Sequence, residues 1–144
     1  MPLLRNLLAL VIALVVGAFV NLALVAFGPS VFPPPAGVDV SDPAKLADSV
    51  HLFQPRHFVF PWLAHAAGSL VGAFLVHLLA GSRRWPLAWG VGGFGFAGGL
   101  MAASMIPAPA WFIALDLLGA YMPMAWLGGR LAERVRPSAA VPGA

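Results

Sequence analysis

The sequence predicts an all-α fold: a four-helix transmembrane bundle with both termini in the cytoplasm and a long outer loop carrying a short helix. Three observations predict it. The 144 residues are 60% hydrophobic and only 9% charged, whereas soluble globular domains carry about 25% charged residues. Four apolar stretches each reach the roughly 20 residues needed to cross about 30 Å of hydrocarbon. Basic residues gather at one set of span ends, as orientation in a bilayer requires.

The first stretch, Leu7 to Phe27, follows Arg5. It exceeds the apolar core of about 7–15 residues found in signal peptides, and no A-x-A cleavage site follows, so a retained span is expected. Residues 28–57 form the outer loop. Pro33 to Pro35 should be extended, with a turn near Gly37 and Asp39. Asp42 before Pro43 reads as an N-cap with proline in the first helical turn. A helix from Pro43 to about Phe53 would align Leu46, Val50 and Phe53 on one side. It would lie on the membrane surface or cap the bundle; the plainer alternative is a loop that only joins two spans.

The second span covers 58–80 and ends before Arg83 and Arg84. The third, 86–106, holds six glycines between Gly90 and Gly99. Pro107 and Pro109 make a tight turn into the fourth, 110–131. Residues 1–133 thus form a single transmembrane domain, and 134–144 a disordered cytoplasmic tail.

Arg5, Arg83, Arg84, Arg130, Arg134 and Arg136 fall on one side. Lys45 and Arg56 fall on the other, beside Asp39, Asp42 and Asp48. The positive-inside rule places the arginine-rich side in the cytoplasm. Trp62 and Trp111 should sit near the outer boundary, Trp85 and Trp126 near the inner one.

Several chemistries fit poorly. The absence of cysteine excludes disulfides, thiolate metal sites and a cysteine nucleophile. The scattered basic residues make no nucleic-acid footprint. The spans' histidines, His65 and His77, lie on different faces of one helix, which does not suit haem. His51, His57, Asp39 and Asp48 lack zinc-site spacing. Ser69 lies one turn from His65 without a G-x-S-x-G motif, and the glycine-rich third span lacks the strand-turn-helix setting of a phosphate loop. No cofactor is expected, and no metal.

Asn21, His65 and Asp116 form the one chemical signal. Each lies about six residues, or roughly 9 Å, inside the outer end of its span. Polar groups within a bilayer are costly and mark packing contacts or functional sites. On the second span Pro61, His65, Gly68, Ser69 and Gly72 share a face, opposite Leu63, Leu70 and Phe74, which should meet lipid. On the fourth, Asp116 shares a face with Gly119, Ala120 and Pro123. On the first, Gly17 is one turn below Asn21. Ala88, Gly92, Gly95, Gly99 and Ala103 offer a matching small-residue surface on the third span. Small residues let helix backbones approach, so the three polar residues should converge inside the bundle, with Ser69 nearby.

Each polar residue has a plainer reading. Asp116 can be structural, a proton or cation site, or water-exposed. His65 can order the bundle by a hydrogen bond or shuttle a proton near neutral pH. Asn21 reads mainly as a packing contact, and His77 should snorkel toward the inner interface.

Gly37 to Asp39, Pro61 through His65 to Gly68, and Trp111 through Asp116 to Tyr121 and Pro123 resemble small bacterial four-span membrane proteins of unassigned function. The resemblance implies a bacterial inner-membrane location and no reaction. Three functional classes remain open. The first is a small binding or accessory protein whose partners are the bilayer and another membrane protein or a second copy. The second is a proton-coupled carrier using Asp116 and His65, and the third an outer-leaflet enzyme. Scarcity of polar residues in the inner half counts against a continuous pathway.

Overall fold

A computed structural model of the chain describes residues 1–136. Six α-helices follow in order: α1 Pro2–Val31, α2 Pro43–Ser49, α3 Val59–Leu79, α4 Arg84–Met105, α5 Ala110–Gly119 and α6 Met122–Val135. Two 3-10 turns, Val50–Leu52 and Pro55–Phe58, lead from α2 into α3. No strand occurs among the described residues. Four helical segments are long and apolar enough to cross a membrane: α1, the Pro55–Leu79 segment, α4, and the Ala110–Val135 segment. The protein is therefore a multi-pass helical membrane protein.

Helix α1 extends beyond its apolar run at both ends, α4 at its start and α6 at its end, where polar and basic residues continue the helix. At 30 residues, α1 is about 45 Å long at helical rise and overshoots a 30 Å core. Arg134 and Val135 belong to α6 rather than to a disordered tail, and Arg136 is its C-cap; residues 137–144 of that expected tail lie outside the described residues.

The fourth span is not one helix. It breaks at Ala120 and Tyr121, because Pro123 has no amide to bond the Gly119 carbonyl four residues back and its ring crowds that turn. The Asp116, Gly119, Ala120 and Pro123 face expected of a continuous helix is therefore split between two axes.

Helix α3 is the centre of the bundle, with α1, α4 and α6 packed around it. Its expected lipid face is a correction. The backbone at Leu70 and Phe74 lies directly against Gly128 of α6, so only Leu63 of that trio is strongly exposed. With three helices packed around α3, Leu70 and Phe74 are only partly exposed. On the opposite side, a Cβ on Gly17 of α1 would lie 2.8 Å from the Gly68 carbonyl oxygen. Gly72 fits against Val91 and the Ala13 carbonyl, Gly92 against Ala125, Gly95 and Gly99 against Tyr121, and Gly119 beside Trp62.

The interior is built of small residues. Ala9, Ala13, Ala73, Val76, Ala80, Ala88, Val91 and Ala125 form its main cluster. The largest fully buried side chain is polar: His77.

The 32–58 connection is folded onto the bundle. Asp42 Oδ1 accepts the Ala44 amide at 2.9 Å and caps α2. The α-helix stops at Ser49, and a 3-10 turn replaces the remainder of the helix expected to reach Phe53. Val50 is buried with Phe58 and Phe112, and Phe53 packs against them. His57 tethers the connection: Nδ1 accepts the Gln54 amide and Nε2 donates to the Pro33 carbonyl.

Candidate functional site

His65 comes from the second turn of α3, Asp116 from the C-terminal half of α5, and Tyr121 from the break between α5 and α6. His65 Nδ1 lies 2.8 Å from Asp116 Oδ1. The Tyr121 hydroxyl donates to Asp116 Oδ2 at 2.8 Å and lies 2.9 Å from His65 Nδ1. The Tyr121 and His65 rings are stacked. With Asp116 ionised the hydrogen count closes: Nδ1–H and the tyrosine O–H each find a carboxylate oxygen. With His65 neutral, that arrangement leaves its Nε2 as an unprotonated acceptor. Asp116 and Tyr121 are buried, whereas the His65 side chain is 25% exposed. The histidine is thus the most accessible member of the trio.

It meets two cavities. The first, about 300 Å³, lies under the connection; α2, the 3-10 turns and the ends of α1, α3, α4 and α5 enclose it. Its lining is apolar, with Leu46, Val50 and Phe53 as the roof and His65 and Asp116 among its few polar residues. The three aliphatic and aromatic positions read from the sequence as one side of a helix therefore cover a cavity. The second cavity, about 270 Å³, lies between α1, α3 and α4 and includes Asn21, His65 and Ser69. His65 and Gly99 border both. The two cavities follow the seam where α1 and α4, each packed on α3, barely meet one another.

Asn21 stands beside Gly68, with its Cβ 3.3 Å from the place a Gly68 Cβ would occupy. It makes no side-chain hydrogen bond to His65 or Asp116, so the layer of three contracts to a pair with a tyrosine added. Ser69 is buried but no hydrogen bond joins it to His65. A serine–histidine nucleophile is therefore not assembled.

A second polar group occupies the other half of the bundle. His77 is 1% exposed. This corrects the expectation that it snorkels: α6 covers it at Gly129, and Trp85 lies edge-on to its ring at 4.9 Å. Its Nε2 is 3.9 Å from Glu133 Oε1, and its Nδ1 has no partner. Glu133 accepts the Trp85 indole N–H at 2.8 Å and is paired with Arg130 at 3.3 Å. The half of the bundle toward the arginine end is thus less devoid of polar groups than the linear count of span residues implies, because Glu133 lies beyond the apolar stretch yet comes within 3.9 Å of His77.

Tyr121 and Glu133 are the residues that sequence reasoning missed. In a straight helix Tyr121, five positions after Asp116, would point about 140° away from it; the break brings them together. The available signal was a lone tyrosine well inside a span, away from the interfacial belts that tyrosines favour, just before Pro123. No protein-family model, curated protein or solved structure matches the chain.

Proposed function

We propose that this is a membrane binding protein that holds a small, largely apolar molecule, with one polar group against His65. The observation that carries this reading is a histidine, fixed from behind by buried Asp116 and Tyr121, at the edge of an apolar cavity of about 300 Å³. Ligand cavities begin near that volume and combine apolar walls with a few placed polar groups. The orientation of Nδ1 toward Asp116 directs Nε2 to accept a hydrogen bond from a hydroxyl or amide of the guest. Access is sideways, from lipid, along the seam between Val25 and Pro29 of α1 and Ala102 and Ala103 of α4.

In this reading the protein sits in a bacterial inner membrane with its arginine end in the cytoplasm, and the α2 connection covers the cavity from outside. Purification in mild detergent followed by mass spectrometry of bound small molecules tests it. A guest should be recovered with the wild type and lost with Ala103→Trp, which fills the cavity, and with His65→Leu, which removes the acceptor. Equal recovery from all three proteins would defeat the proposal.

A proton-coupled carrier is the second reading, favoured by one observation: buried His77 and Glu133 give the inner half a proton-binding group on the same helix as His65. Against it, Gly72, Ala73 and Val76 are buried between the two histidines. A carrier would have to open that packing in each cycle.

A further inference from the structure

We infer that the arginine end carries a binding site for the phosphate of an anionic lipid, formed by Arg5, Arg84 and Arg136 around the C-terminus of α3. Three segments far apart in sequence bring these guanidinium groups together. Arg5 Nε donates to the Leu79 carbonyl at 2.8 Å. Arg136 Nη1 donates to the Leu78 carbonyl at 2.7 Å and faces the Ala80 carbonyl at 3.4 Å. Arg84 opens α4 just beyond the same turn.

Capping of the last α3 carbonyls explains why two of these arginines are there. It does not explain Arg84. Its Nη1 is closed off from solvent and has no hydrogen-bond partner. A guanidinium hindered from hydrating on one side needs an anion on its open side.

The acidic side chains among the described residues supply none. Of the five acidic residues, Asp39, Asp42 and Asp48 lie in the connection at the opposite end, and Asp116 is held by His65. Glu133 is occupied by Trp85 and Arg130. No salt bridge reaches Arg5, Arg84 or Arg136 among the described residues. The crowding is felt: Arg136 is displaced below the usual guanidinium range, first by Arg84, then by burial and by Arg5. Convergent like charges without a carboxylate, at the level where the spans end, match a lipid phosphodiester. Guanidinium forks suit phosphate oxygens, and basic pockets between spans hold acidic headgroups.

The test uses the full-length protein in nanodiscs of phosphatidylcholine, with or without phosphatidylglycerol. Thermal midpoint and phosphatidylglycerol retained in native mass spectra are the readouts. Phosphatidylglycerol should raise the midpoint of the wild type. Its retention should fall roughly tenfold in Arg84→Gln with Arg136→Gln, as two basic contacts are lost. A control pair, Arg83→Gln with Arg134→Gln, makes the same charge change at exposed positions and should cost about twofold or less.

If the first pair fails to fold, Arg84→Gln alone, which removes no side-chain hydrogen bond among the described residues, carries the comparison. Equal losses in both pairs, or no preference for phosphatidylglycerol, would overturn the site. Inorganic phosphate and glycerol 3-phosphate form the remaining arm. No effect of either at millimolar concentration supports the lipid assignment, and full reproduction of the shift by either overturns it in favour of a soluble phosphate.

Discussion

Tyr121 is the residue on which the polar group around Asp116 depends. Its hydroxyl supplies one of two donors to a carboxylate buried to 5% exposure. Tyr121→Phe should leave Asp116 Oδ2 without that donor and cost about 1–3 kcal/mol, read as a lower thermal midpoint in detergent; an unchanged midpoint would mean the hydrogen bond adds nothing. Asp116→Asn should keep the fold, since the amide oxygen still accepts from one neighbour while its N–H can donate to the Tyr121 oxygen. His77 behaves differently. Its ring makes no hydrogen bond, so His77→Leu should be neutral or raise the midpoint, because removing an unsatisfied buried polar group removes its desolvation cost. A marked loss would reveal a partner for His77 beyond those described. At the surface, hydrogen bonds from Ser41 and Lys45 hold the Asp39 carboxyl down to about 2. Its unfolded value is about 3.9. The folded value is the lower one, so this support for the connection is present above about pH 4 and lost as pH falls through about 2. Hydrogen exchange at Ser41 should quicken across that window in the wild type, after correction for intrinsic rates, and stay level in Asp39→Asn.

Helices in this bundle are distinguished by what touches their glycines. Gly128 of α6 lies against the α3 backbone, whereas a Cβ on Gly90 of α4 would meet nothing within 4 Å. Gly128→Leu should prevent α6 from docking, while Gly90→Leu should be tolerated. Detergent-stable yield and thermal midpoint separate the two, and equal behaviour would refute the packing of α6 on α3. Gly72→Leu and Gly95→Leu belong with Gly128, since each already faces a neighbour at 3.0 Å or less from its would-be Cβ. Phe74 is only partly exposed, with α6 against its backbone, and so is a poorer lipid-facing reference than the helical wheel implies.

The whole molecule is asymmetric between its ends. One end carries six arginines and the junctions where α1 and α4 begin and α3 and α6 finish; the other carries the folded connection and the apolar cavity. If the arginine end faces the cytoplasm, Asp42→Cys on this cysteine-free chain should react with an impermeant maleimide added outside intact cells, and Ser82→Cys should not. The reverse pattern would invert the molecule in the membrane. Crossing of α1 and α4 over a shared central helix also leaves the seam between them open to lipid, a property of no single span.

Hydropathy and charge alone determined the number of spans, their order, the connection's N-cap at Asp42, and that Arg5, Arg83 and Arg136 share an end. These are local or one-dimensional properties: a span is recognised by its length in residues, and a cap by its neighbours. Depth counting also selected His65 and Asp116, which the fold joins at 2.8 Å. Depth says nothing about rotation or partner. Asn21 shares the depth but faces the α1–α4 seam, while Tyr121 enters the group only because Pro123 interrupts the helix. The surroundings of His77, the covering of Leu70 and Phe74 by α6, and the convergence of three arginines on one α3 terminus depend on which helices touch. That choice is made by the fit of small residues against backbone across the bundle, and only the tertiary structure decides it.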